Sequence, residues 1–110
     1  KGRDDIVLTV TPAQANPYYT MVELDAEDRP QICKKPASPL SRRQDAPKVF
    51  TIVAACYVAS VDFILSADSI WEGRVGAVEI PPLRAVDIDT ELDFQFAEFL
   101  MQQHLHAVKE

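Results

Sequence analysis

The stretch that most constrains the fold is Val49 to Ala59, VFTIVAACYVA, a continuous run of β-branched, aromatic and small apolar residues. Continuous rather than alternating apolarity suits a strand covered on both faces, which predicts that this run forms the centre of a sheet. A chain of 110 residues can bury a core without disulfide or metal staples, so one domain is the upper limit. Hydrophobic residues at 47% and charged residues at 25% fit a globular protein. No apolar run reaches the roughly 20 residues of a bilayer span, so a membrane is not an expected partner.

Other elements arrange themselves around that run. In DIVLTVTPA, Ile6, Leu8 and Val10 alternate with the period of a strand that stops at Pro12. An extended segment to Leu24, a polar turn over Asp25–Arg29 and a return through Ile32 predict a short antiparallel hairpin. Residues 36–48, PASPLSRRQDAPK, hold three prolines and lack an apolar period, as a surface loop does. Ser60 is placed to cap a short helix through VDFILS, and a strand is expected at about Val75–Ile80 before the Pro81–Pro82 stop. Thr90 and Asp93 form a capping box ahead of Leu92, Phe94, Phe96, Ala97, Leu100, Met101 and Leu105, predicting a closing helix of about four turns with a broad apolar face. Strands interleaved with helices make the fold class α/β, with an antiparallel element inserted.

A formal charge of −6, from 17 acids against 11 Lys and Arg, opposes binding to nucleic acid. Cys33 and Cys56 form no CxxC pair and read as buried free thiols in a reducing cytoplasm. The opening KGRDD has neither an initiator Met nor the apolar core of a signal peptide, which suggests a portion of a longer polypeptide.

The chemistry-bearing candidates stand between the last strand and the last helix. In an extended segment Asp87 and Asp89 project to one side while Val86 and Ile88 face the core, a geometry suited to a shared cation. Mg²⁺ takes oxygen ligands and is often held by one or two carboxylates together with substrate phosphates. The alternative is that Asp89 or Thr90 caps the helix and Asp87 is solvated. A metal-dependent hydrolase would need a general base, and His104 and His106 lie far along the helix and face different ways.

Taken in order, Arg43-Gln44-Asp45-Ala46-Pro47, Ala55-Cys56-Tyr57, Ile70-Trp71 and Ala85-Val86-Asp87-Ile88-Asp89-Thr90 resemble the C-terminal half of the acylneuraminate cytidylyltransferases, the CMP-sialic acid synthetases. The resemblance runs from about Asp5 to Gln103, with the motifs in the family's order and at similar spacings. It implies the C-terminal portion (residues 1–110) of a single Rossmann-like nucleotidyltransferase domain, with a small inserted antiparallel dimerisation element and a C-terminal helix. It further implies a cytoplasmic homodimer that transfers CMP from CTP to an acidic nine-carbon sugar and releases pyrophosphate.

By the same resemblance Asp87 and Asp89 would hold Mg²⁺ or Mn²⁺, and Arg43 would meet the sugar carboxylate, its paired donors fitting two oxygens. Gln44 would brace that loop, and Tyr57, Ile70 and Trp71 would line the sugar pocket. A solvated loop accounts for Arg43 as well, and core packing for the apolar and aromatic residues. The chain departs from the family pattern in three places. Val53-Ala54 replaces a common Asn-Gly, Tyr19 stands where some members offer a Lys, and the Gly-rich basic loop that cradles the triphosphate is missing. The N-terminal CTP-binding half is therefore expected to be absent and this segment alone inactive. The alternative reading is a non-catalytic, degenerate interaction or dimerisation module of the same fold.

Overall fold

The computed structural model describes residues 3–37 and 42–109. In chain order the elements are β1 (Ile6–Pro12), β2 (Val22–Leu24), β3 (Pro30–Ile32), β4 (Phe50–Ala59), α1 (Val61–Ser66), β5 (Val75–Glu79) and α2 (Glu91–Lys109). Single 3₁₀ turns occur at Arg43–Asp45, Ile70–Glu72 and Pro82–Arg84. The chain divides into two units, one of Lys1–Thr11 with Ile52–Glu110 and one of Pro12–Thr51.

In the larger unit the alternation of Ile6 and Leu8 becomes a strand with both side chains buried. β5 pairs with it in parallel, Ile6 opposite Val75 through Val10 opposite Glu79, and the sheet order is β4-β1-β5. The Ser60 amide donates to the Asp5 carbonyl at 3.0 Å, while the Thr9 hydroxyl donates to the Val53 carbonyl at 2.6 Å. β4 therefore runs opposite to β1. β1, not β4, is the central strand, which corrects the expectation drawn from VFTIVAACYVA. Val53 is the buried residue of β4 and most of the rest of the strand is exposed. Continuous apolarity shows that a strand is suited to cover on both faces, but it does not name the neighbours, and here β5 takes the second edge of β1.

Ser60 caps α1 as expected, its hydroxyl oxygen accepting from the Phe63 amide at 3.2 Å. α2 is longer than expected. Its 19 residues make just over five turns at about 3.6 residues each, because nothing from Met101 to Lys109 is a Gly or Pro that would stop it. Ala97 and Leu100 are half-buried, while Leu92, Phe94, Phe96, Met101 and Leu105 of the same apolar set remain exposed. No described helix is long and apolar enough to cross a membrane.

The smaller unit carries the expected hairpin, β2 antiparallel to β3 with Val22 opposite Ile32. Asp25 closes its turn, Oδ1 accepting from the Glu27 amide at 2.9 Å and the Arg29 amide at 3.0 Å. Those amides, Arg29 first, hold the Asp25 carboxyl below its ordinary value. Within the expected loop the described part contains the Arg43–Asp45 turn, and residues 38–41 lie outside the described residues. Both cysteines are free thiols, but neither is buried: Cys33 is half-buried and Cys56, on the edge strand β4, is exposed.

Two glycines lie against the start of β1. A Cβ on Gly73 would stand 2.5 Å from the Phe63 ring and 2.7 Å from Asp5 Oδ2, and a Cβ on Gly76 would run into the Asp4 carboxylate. The Asp5 carboxylate accepts from the Arg74 amide at 2.7 Å, and the Asp5 amide donates to the Arg74 carbonyl at 2.8 Å. The carboxylate cannot swing aside without giving up its bond from the Arg74 amide. The Asp4 carboxylate only pairs with the exposed Arg74 guanidinium, at 3.2 Å, and can rotate away. Gly73→Ala should therefore lower stability by about 1–3 kcal/mol and Gly76→Ala by clearly less, as read from denaturant midpoints. Equal effects would show that the Asp5 clamp is not rigid.

Candidate functional site

Asp87 and Asp89 lie on the irregular segment between the Pro82–Arg84 turn and α2, downstream of the carboxyl end of β5. In sheets with parallel strands, ligands bind outside the carboxyl ends of those strands. Both carboxylates are exposed, and among the described residues neither makes a side-chain hydrogen bond or ion pair. Val86 is half-buried as expected, but Ile88 is exposed, because the chain bends at Asp89 and Thr90 to enter the helix.

The cap is made by other groups. The Asp93 amide donates to the Thr90 hydroxyl oxygen at 3.1 Å, and Asp93 Oδ2 accepts from the Thr90 amide at 2.9 Å and from the Asp89 amide at 3.0 Å. Thr90 and Asp93 thus bond to each other reciprocally across the start of α2, as the capping box predicts. Only the backbone of Asp89 takes part, so its side chain and that of Asp87 are not occupied by capping. Two exposed carboxylates next to a helix N-terminus are donors suited to a hard divalent cation. Among the described residues no group of three or more His, Cys, Asp or Glu could hold a metal ion, and two carboxylates alone do not make a closed structural site.

Tyr57 is exposed near the end of β4. Its strand is not straight. The Thr9 hydroxyl lies 2.6 Å from the Val53 carbonyl oxygen and 3.2 Å from that of Cys56. Carbonyls three residues apart on a straight strand are roughly 10 Å apart, so β4 bulges over Val53–Cys56, immediately before Tyr57. Sequence reasoning missed this bulge, and a Thr on the neighbouring strand is no local signal for it. The Ile70–Glu72 turn separates its two candidates: Trp71 is exposed to 63%, whereas Ile70 is half-buried and lines a cavity of about 190 Å³ with Ile6 and Phe63. A groove of about 690 Å³ between the Pro81–Val86 segment and α2 is walled mainly by apolar side chains, with Arg84 and His104 among them. Neither Asp87 nor Asp89 lines it, so this groove and the acids are separate features.

In the smaller unit Arg43 and Gln44 open a 3₁₀ turn, with Gln44 exposed. The turn is closed by the Asp45 amide donating to the Arg42 carbonyl at 3.1 Å and by an Arg42–Asp45 ion pair at 3.6 Å. Two side chains to which the sequence reading gave no such contact, Asn16 and Tyr19, reach this loop. The Tyr19 hydroxyl donates to the Arg42 carbonyl, and Asn16 Nδ2 donates to the Pro47 carbonyl at 3.3 Å. The Asn-Pro start of that segment is a turn signal, but nothing local announces what the turn holds.

No family profile matches the chain. Two curated relatives do. The chain is 30% identical over 103 residues, 94% of its length, to the post-translational flagellin modification protein B of Campylobacter coli. It is 34% identical over 95 residues, 86% of its length, to the CMP-N,N'-diacetyllegionaminic acid synthase of Campylobacter jejuni. These stretches cover 43% and 39% of the two relatives, so the chain spans less than half the length of the proteins it matches.

Asp93 gives the site a measurable pH dependence. Hydrogen bonds from the Asp89 amide, then from the Thr90 hydroxyl and amide, hold its carboxyl below the ordinary value of 3.8. A carboxyl whose folded value is depressed stabilises the fold above its unfolded value, and that contribution is lost as pH falls through the folded value. The Asp89 and Thr90 amide resonances should therefore titrate together with a midpoint below 3.8, and Asp93→Asn should abolish that step. A midpoint at or above 3.8 would remove the capping box as its cause.

Proposed function

We propose, from its likeness to the two relatives, that the chain belongs with the CMP-sialic acid synthetases and is the portion of a Rossmann-like cytidylyltransferase that supplies the metal-binding acids and the acidic-sugar contacts. The reaction joins the anomeric hydroxyl of a nonulosonic sugar to the α-phosphate of CTP. A new P–O bond forms, the bond from the α-phosphorus to the bridging oxygen breaks, pyrophosphate leaves, and the hydroxyl releases its proton. The observation that carries this reading is that Thr90 and Asp93 complete the helix cap without using the carboxylates of Asp87 and Asp89.

Asp87 and Asp89 would hold Mg²⁺ or Mn²⁺, which when bound neutralises charge on the triphosphate. Catalysis of this kind is mostly placement of two anions and electrostatic stabilisation, with no covalent enzyme intermediate. Arg43 offers paired donors to the sugar carboxylate, and Gln44 braces its turn. Tyr57 and Trp71, both exposed, offer flat amphipathic surfaces to the sugar and its acyl groups, while Ile70 backs the Trp71 turn from the apolar side.

The exposed apolar residues of α2 and β4 fit a segment packed against further polypeptide, and a homodimeric, cytoplasmic enzyme is part of the proposal. That polypeptide would carry the loop that cradles the triphosphate, so this segment by itself would release no pyrophosphate. In the whole protein, Asp87→Asn and Asp89→Asn should each lower kcat by about 10²-fold and raise the half-saturating Mg²⁺ concentration. The unfolding midpoint should stay put, because both side chains are exposed. Pyrophosphate release from CTP and an acidic sugar measures this. Undiminished turnover in both variants would leave the non-catalytic interaction module as the better account.

A further inference from the structure

The smaller unit places two side-chain donors from one turn on the two ends of another. Asn16 is the hub of the first turn: its Oδ1 accepts from the Tyr18 amide at 2.8 Å, and its carbonyl accepts from the Tyr19 and Thr20 amides at 3.0 and 2.8 Å. Its own amide donates to the Thr20 hydroxyl oxygen at 2.7 Å. The segment is thereby closed on itself, which fixes where the Asn16 amide nitrogen and the Tyr19 ring emerge. Both are used at a distance. Tyr19 reaches the carbonyl of Arg42, just before the Arg43–Asp45 turn, and Asn16 reaches that of Pro47, just after it.

The bonds span 23 and 31 residues of sequence, and their acceptors are backbone carbonyls of a surface segment that water could satisfy. The Arg42 carbonyl also accepts from the Asp45 amide, so both of its lone pairs are engaged and the turn that begins at Arg43 has a fixed origin. An Arg that must meet a carboxylate with two parallel bonds binds more tightly when its backbone is ordered beforehand, because that ordering is not then charged to the binding event.

We propose that Tyr19 and Asn16 are positioning residues that clamp the Arg43–Gln44 turn in the orientation that receives the substrate carboxylate. This rests on the reading of Arg43 given above. It also gives Tyr19 a role that its neutral hydroxyl can fill, where a lysine would have offered charge. The two contacts can be cut separately: Tyr19→Phe removes only the hydroxyl, and Asn16→Asp keeps the acceptor for the Tyr18 amide but loses the donor to Pro47.

In the whole protein each substitution should raise KM for the acidic sugar about tenfold, leaving kcat and KM for CTP within about twofold. In an Arg43→Ala background, Tyr19→Phe should have no further effect, as a double-mutant cycle requires of a residue that acts through another. Amide exchange over residues 42–47 should quicken in both variants while β1 and β5 stay unchanged. If Arg43→Ala raises the sugar KM but Tyr19→Phe and Asn16→Asp alter neither KM nor exchange, the clamp is overturned and the assignment of Arg43 stands. If Arg43→Ala leaves the sugar KM unaltered, the substrate role of Arg43 falls, and the positioning role with it.

Discussion

Parallel pairing of β1 with β5 is the constraint on which the larger unit depends. The register from Ile6–Val75 to Val10–Glu79 is locked at its start, where Asp5 and Arg74 exchange backbone and side-chain bonds and Gly73 leaves room for the Asp5 carboxylate. A one-residue slip would turn Ile6 and Leu8 out of the small core, so pairing and burial enforce the same arrangement. The pairing also fixes where β5 ends, and hence where the chain can deliver the segment that carries the acids.

That delivery explains why two aspartates can stand exposed beside a helix without serving it. The first turn of α2 needs acceptors for its amides, and the sequence, which offers the Thr90–Asp93 box, leaves open whether the Asp89 side chain is spent there as well. The geometry gives the task to Thr90 and Asp93, with the Asp89 backbone as a third participant. Two charged side chains are left at the helix entrance, where the macrodipole favours negative charge. Asp87 and Asp89 therefore sit in an electrostatically tolerable place.

In the smaller unit the local logic is hydrogen bonding rather than apolar burial. Asp25 and Asn16 each organise a turn by accepting from amides two residues on, a habit of Asx side chains that a sequence can suggest. What differs is the remainder of each side chain. The carboxylate of Asp25 uses its accepting capacity on its own turn, whereas the amide of Asn16 keeps a donor for a loop far along the chain.

What the sequence determined by itself is local: the alternation of β1, the hairpin around Asp25–Arg29, the Ser60 cap, the end of β5 before Pro81–Pro82, and the reciprocal Thr90–Asp93 box. Each follows from period, turn chemistry or a bond between residues at most a few positions apart. The tertiary structure alone decided that β1 and not β4 lies at the centre, and that β4 bulges against Thr9. It alone turned Ile70 inward while exposing Trp71, and it tied the Arg43 turn to Asn16 and Tyr19. The physical reason is that these depend on partners tens of residues away, and an apolar run, a threonine or an asparagine carries the capacity for such a contact but not the identity of its partner.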